Sequence, residues 1–336
     1  MNTGLVLSHH LRQQRVDHAP LTEELAALLA ELALAGKIIA REVGRAALTG
    51  RLGETGEINV QGERVKELDR WANAAMVDVL RHSGLVCTMV SEELEKPLHL
   101  PEACAASRYL VCFDPVDGSS NTDINGIVGT IFGIRPVRAG GGPASHAADA
   151  LGPGTTQVAA GYIMYGPATV LVYTAGRGVH GLTLDTMTGE FVLTHPDLHM
   201  PARGKTYSVN EGNSHRWGPA PREFIASLAD ERDGARAYSL RYVGSLVADF
   251  HRTLLEGGVY LYPAEVSGAR AGGKLRLLYE AAPLGLVAEQ AGGRASTGTE
   301  RILEIVATDY HQRVPLVIGS AEEVGHAEAF HRRPAT

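Results

Sequence analysis

The sequence is poor in cysteine, in positive charge and in long apolar runs. Its three cysteines, Cys87, Cys104 and Cys112, cannot pair completely. Cys87 and Cys112 fall in strand-like apolar stretches where buried free thiols are the expectation, which favours a reducing compartment. Nothing approaches the apolar length needed to span a bilayer. The N-terminus, with His9, His10, Arg12 and Arg15, lacks the apolar core of a secretion signal, so a cytoplasmic protein with no membrane partner is expected. A net charge of −7 gives no nucleic-acid surface. An acidic protein that takes an acidic substrate must overcome the repulsion with metal ions or local Lys and Arg. What is present is ordinary for a globular protein: 44% hydrophobic and 21% charged residues over 336 positions, enough for one large or two medium domains. The 39 glycines fit many tight turns.

Residues 21–48 carry Leu25, Leu28, Leu29, Leu32, Ile39 and Val43 near helical spacing, which predicts a long amphipathic helix. A polar, Gly-rich interval over 49–62 reads as a loop, and 63–82 as a second helix. Strands are expected over 85–90, 109–113 and 127–137. The interval 138–154 is rich in Gly, Ala and Pro without apolar periodicity and reads as an exposed loop. Four β segments follow over 157–195. Beyond about residue 200 helices and strands alternate; the stretch 274–290 is helical but must kink or break after Glu280 because of Pro283. These patterns predict an α/β protein in two halves, 1–199 and 200–336, with no internal repeat.

The most informative run is Asp114-Pro115-Val116-Asp117-Gly118-Ser119-Ser120-Asn121. Pro115 and Gly118 end a strand there. Gly-Ser-Ser-Asn offers closely spaced N–H groups and hydroxyls to an anion such as phosphate. Ser91-Glu92-Glu93 also follows a strand end. If both strands share a sheet, Glu92, Glu93, Asp114 and Asp117 meet, and such a cluster is costly unless cations fill it. Hard carboxylates beside a phosphate cradle point to Mg²⁺-dependent phosphoryl chemistry.

Taken together, the motifs resemble class 1 fructose-1,6-bisphosphatases of the bacterial type, within the inositol monophosphatase and sugar-phosphatase superfamily. Besides the two acidic runs, the matching blocks are Asn59-Val-Gln-Gly62, Gly129-Thr-Ile-Phe-Gly133, Asn210-Glu-Gly212, Arg241-Tyr-Val-Gly-Ser-Leu-Val-Ala-Asp249, Gly273-Lys-Leu-Arg-Leu-Leu-Tyr-Glu280 and His311-Gln-Arg313, in family order. The resemblance implies a layered αβαβα fold. It also implies Mg²⁺-dependent hydrolysis of the 1-phosphate of fructose 1,6-bisphosphate, a step of gluconeogenesis or the Calvin cycle. Two or more Mg²⁺ per subunit are expected, with Mn²⁺ able to substitute. Glu92, Glu93, Asp114, Asp117, Glu280 and the Val116 carbonyl would be metal ligands. Glu93 and Asp69 would activate the attacking water. Asp117, Gly118, Ser119 and Ser120 would hold the phosphate that is cleaved. Asn210, Arg241, Tyr242, Tyr262 and Lys274 would hold the distal phosphate and the sugar. Arg241 in this family reaches a neighbouring subunit's site, so self-association as a homotetramer is implied. The segment 59–62 would act as a lid over the metals, with Glu63 closing onto the site.

The chain also departs from the family pattern. Where many members bind AMP through Thr-Gly-Glu-Leu-Thr, it has Thr22-Glu23-Glu24-Leu25-Ala26, and Glu23 adds bulk and negative charge. AMP inhibition is therefore expected to be weak or absent. Asn213 stands where some relatives have a phosphate-binding tyrosine. Sedoheptulose 1,7-bisphosphate is the alternative substrate, alone or alongside the first. A monophosphatase of the inositol type and a sugar-phosphate-binding protein without catalysis are the other readings.

Overall fold

The computed structural model describes residues 4–17, 21–58, 64–101, 107–138, 142–229 and 237–333. After helix α1 (Leu7–Asp17) comes α2 (Glu23–Val43), whose start is capped by the Thr22 hydroxyl accepting from the Leu25 N–H at 3.1 Å. Strands β1 (Glu54–Ile58) and β2 (Arg64–Lys66) pair antiparallel and lead into α3 (Glu67–Ser83). The interval read as a loop over 49–62 thus contains a strand; it looks like a loop because this two-stranded ribbon is short and polar. The proposed lid residues 59–62, with Glu63 and Cys104, lie outside the described residues.

The large sheet is built from β3 (Val86–Ser91), β4 (Leu98–His99), β5 (Tyr109–Asp117), β6 (Val128–Pro136), β7 (Ala159–Tyr165), β8 (Thr169–Thr174), β9 (His180–Asp185) and β10 (Glu190–His195). Its order is β10-β9-β8-β7-β6-β5-β3-β4, antiparallel throughout except for the β3–β5 pair. Alternation along β5 sends Leu110 and Cys112 to one face and Tyr109, Val111 and Phe113 to the other, all buried. A sheet apolar on both faces must be covered on both. Leu28, Leu29 and Leu32 of α2 and Met76 and Leu80 of α3 cover the second face.

Between β6 and β7 the interval 138–154 holds α4 (Pro143–Ala150), not only a loop. Proline in the first turn suits a helix start, and the face it buries is made of small Ala147 and Ala150 with His146, too weak a stripe to register as periodicity. The Nδ1 of His146 lies 2.9 Å from Cys87 Sγ. Cys112 is the buried free thiol expected, but Cys87, although buried, is disulfide-bonded. Burial in an apolar strand does not reveal whether another sulfur comes close in space.

The second sheet contains β11 (Thr206–Ser208), β12 (Ser239–Leu240), β13 (Val259–Tyr262), β15 (Arg294–Ser296) and β17 (Leu316–Gly319), in the order β12-β11-β13-β17-β15. Helices α6 (Leu246–Glu256) and α7 (Ala282–Gln290) fill the space between the two sheets with Leu246, Phe250, Leu254, Leu284 and Val287. Outside the second sheet, Phe224, Ile225 and Leu228 of α5 (Pro219–Leu228) and Val324 and Ala327 of α8 (Ala321–His331) close the last layer. The layers are therefore α, β, α, β, α. The stretch 274–290 breaks as Pro283 requires: β14 (Leu275–Arg276) pairs with β16 (Arg313–Val314), a π turn spans Leu277–Ala281, and α7 begins with the proline in its first turn.

Candidate active site

Strands β3 and β5 run parallel and adjacent, so their C-terminal ends lie at one edge of the sheet. That edge receives Glu92 and Glu93 from one strand and Asp114 and Asp117 from the other. Pro115 has no N–H, and the β5–β6 register slips between Asp114 and Asp117. The Asp114 carboxylate accepts from the Val116 N–H at 2.9 Å, turning the chain. Asp117 accepts from the Ser245 hydroxyl at 2.9 Å and from the Val247 N–H at 2.8 Å, at the start of α6. Gly118 follows with φ +77°, and a Cβ there would lie 2.6 Å from Ser245 Cβ. Glycine is required both by the backbone and by the space. A 3₁₀ turn, Ser119–Ile124, then presents Ser119 and Ser120.

Glu280, carried by the π turn, completes the cluster: oxygens of Asp114, Asp117 and Glu280 all lie within 4.8 Å of one another, and all three residues are buried. Such turns cluster at functional sites. The arrangement surrounds a cavity of about 490 Å³, the size of a small-molecule site. Glu92, Glu93, Asp69, Val116, Gly118, Ser119, Ser120, Tyr242, Tyr262 and Lys274 line it with the three acids. Asp249 accepts from the N–H groups of Val243 and Gly244 and thereby fixes the turn that carries Tyr242. Lys274 Nζ stands 5.3 Å from the centre of the Tyr262 ring. Two expected residues are not brought in. Asn210 is exposed at the start of the 3₁₀ turn Glu211–Arg216, and Arg241 is exposed with Nη1 donating to the Leu240 carbonyl at 2.8 Å.

Two family models match nearly the whole chain. The N-terminal domain of fructose-1-6-bisphosphatase matches residues 6–196, and its C-terminal domain matches residues 200–332. The chain belongs to the fructose-1,6-bisphosphatase family. A Nostoc punctiforme protein named fructose-1,6-bisphosphatase class 1 is 49% identical over 325 residues, 96% of this chain and 91% of the relative. An Oleidesulfovibrio alaskensis protein of the same name is 48% identical and covers 98% of both chains. The crystal structure of Leishmania major fructose-1,6-bisphosphatase in holo form superposes with a TM-score of 0.90 at 39% identity, over 98% of this chain and 100% of that one.

The electrostatics fit the metal dependence of that family. Burial pushes Glu280 up to about 8 and Asp117 up to about 6, with Arg276 opposing the first and the bonds from α6 opposing the second. Burial, and then Glu92, Asp117 and Glu280, push Asp114 well above the carboxylate range. Oxygen donors that repel one another in a dry pocket suit a hard divalent cation. Asp69 is likewise raised, first by burial and then by Glu93, against a hydrogen bond from Ser119; its Oδ1 has no hydrogen-bond partner among the described residues. Like charges that share a site make the protonated form of one of them easier to reach.

Arg276, inside the Gly273–Glu280 block but given no role of its own there, is buried on β14, with Nη2 2.7 Å from Glu92 and its backbone N–H donating to Glu280. Lys66, Arg64 and Arg270 also line the cavity. Arg276 sits inside a motif block, which was the available signal; no local pattern marks Arg64, Lys66 or Arg270.

Proposed function

We propose that this protein hydrolyses the 1-phosphate of fructose 1,6-bisphosphate, giving fructose 6-phosphate and inorganic phosphate, with two or more Mg²⁺ per subunit and Mn²⁺ as a substitute. The observation that carries this reading is a single cavity that joins a metal-capable acid cluster and a Gly-Ser-Ser turn to a group of tyrosines and cations. A monophosphatase has no use for that second group.

Asp114, Asp117, Glu280, Glu92, Glu93 and the Val116 carbonyl would hold the metal. When bound, Mg²⁺ supplies charge neutralisation on the phosphoryl oxygens and acidifies a water. The N–H groups and hydroxyls of Gly118, Ser119 and Ser120 hold the phosphoryl group by hydrogen bonds. Glu93, with Asp69 behind it, accepts the proton of the attacking water. Tyr242, Tyr262 and Lys274 orient the sugar and its other phosphate, so binding energy at the remote end aligns the reacting end.

Arg241 serves the distal phosphate across a subunit boundary in a homotetramer, and its exposure on a single chain supports this; Asn210 belongs to the same distal-phosphate group. The division of the chain into halves near residue 200 and a cytoplasmic location belong to the same proposal. No helix among the described residues is long and apolar enough to cross a membrane.

Phosphate release with Mg²⁺ or EDTA, from fructose 1,6-bisphosphate, sedoheptulose 1,7-bisphosphate and inositol 1-phosphate, tests the reading. Metal-dependent turnover of the first is expected. Turnover of inositol 1-phosphate alone would overturn it.

A further inference from the structure

The tyrosine end of the cavity holds a cation that belongs to none of the roles above. Arg270 sits in the loop between β13 and β14 and lines the cavity with Tyr242, Tyr262 and Lys274. Its charge is close enough to act on the Tyr242 hydroxyl. The loop that carries it is tightly built. The Arg270 carbonyl accepts from the N–H of Glu265 at 3.0 Å and of Gly273 at 2.9 Å. Gly268 and Gly273 take φ of +88° and +96°, and a Cβ on Gly273 would collide with the backbone of Val314 at 2.1 Å. Side chains are ruled out there, so the loop is pinned against β16.

One carboxylate faces two guanidinium groups in this loop. Glu265, largely buried, lies 3.6 Å from Arg270 Nη1 and 3.5 Å from Arg216 Nη1. One negative charge cannot neutralise both, so a positive charge is left over. Lys274 adds another beside the Tyr262 ring. Two cations and two phenolic donors that line one cavity suit a phosphate dianion. As a mere half-exposed ion pair, Arg270–Glu265 would contribute little to stability.

We propose that Arg270 binds the phosphate remote from the metal cluster, and that Glu265 is the residue that positions it. The assignment rests on the bisphosphatase reading. Arg270 reaches the cavity from the same chain as the acids, whereas Arg241 would reach it from a neighbour.

The test compares Arg270→Met, Arg270→Lys and Glu265→Gln with the wild type, each with Mg²⁺, on fructose 1,6-bisphosphate and on fructose 1-phosphate. Arg270→Met should raise KM for the bisphosphate about tenfold or more, the scale of one lost charge-assisted hydrogen bond. Its kcat should stay within about twofold, and KM for fructose 1-phosphate should not move. Arg270→Lys should recover part of the loss, as a point charge without the fork. Glu265→Gln should raise KM less, with the same substrate dependence. An unchanged KM for the bisphosphate, or an equal rise on both substrates, would overturn the assignment. If Arg270→Met folds poorly, the Lys and Gln variants decide by the same split. Wild-type protein without turnover of fructose 1,6-bisphosphate would sink the bisphosphatase reading and this assignment with it. Wild-type turnover with an unmoved Arg270→Met KM would sink this assignment alone.

Discussion

Glu93 and Asp69 differ in what surrounds them, and that difference predicts different variants. Glu93 lies at the mouth of a strand end, while Asp69 is buried behind it with one oxygen unpartnered among the described residues. Glu93→Gln keeps the shape and removes the proton acceptor, so kcat should fall by about 10² to 10⁴ with KM little changed. Steady-state phosphate release checks this, and a loss confined to KM would count against the role. Far from the site, His10 on α1 is buried against His180, with ring centres 4.6 Å apart. Burial and then His180 hold it down to about 4, below the ordinary 6.5. The unfolded chain takes the proton first as pH falls, so stability is lost progressively from about pH 6.5 to pH 4 and is intact at neutral pH. Thermal unfolding between pH 7.5 and 5 should show Tm falling, and His10→Leu should flatten that slope; parallel slopes would refute the attribution. Glu92, Glu93, Asp114 and Asp117 were legible in the sequence because they stand at strand ends, and a strand end is a local signal; Glu280, on the π turn, was named through its motif block. The ion pairs of Arg276 were not legible for the opposite reason: nothing local distinguishes a cation that starts a solvated helix from one buried between Glu92 and Glu280.

At the level of the element, the turn after β5 is where chain geometry and chemistry are tied. Gly118→Ala must adopt φ +77° at a cost of about 1–2 kcal/mol. It must also displace Ser245, which bonds Asp117. Tm should drop by several degrees, at roughly 2–4 °C per kcal/mol, and activity should fall with it. A variant that loses Tm but keeps kcat would show that the turn is only structural. The N-terminus of α2 allows a second prediction. Thr22 already caps this helix and meets the Tyr109 hydroxyl at 2.9 Å, and Glu23 and Glu24 occupy its first turn. An incoming phosphate would meet two carboxylates where the helix offers its positive end. Millimolar AMP should therefore leave phosphate release unaffected, and half-inhibition at micromolar AMP would disprove this. Elements with bulky apolar stripes, such as α2 and β5, were readable to within a few residues. Those built from small or polar residues, α4 and β1, were not, since their signal lies in what they pack or pair against.

For the molecule as a whole, the layers follow from faces that need cover. The large sheet is apolar on both sides, so α2 and α3 must close one and α6 and α7 the other. The cavity then opens where strand ends of the first sheet meet the turns that precede α6 and α7. That meeting is long-range, which is why sequence motifs could name the participants while the spacing between them could not. Arg241 remains outside the cavity of its own chain. If it serves a neighbour, activity belongs to the assembly, and complementation should reveal it. Arg241→Ala and Glu93→Gln variants should each be weak alone. Mixed subunits would regain sites in which Glu93 of one chain meets Arg241 of another. Co-expression with two affinity tags, followed by purification of the hybrids, should yield bisphosphatase activity well above either parent. Sedimentation should place all three preparations at the same oligomer size. Hybrids no more active than the average of the parents would mean that each chain's Arg241 acts at home or not at all.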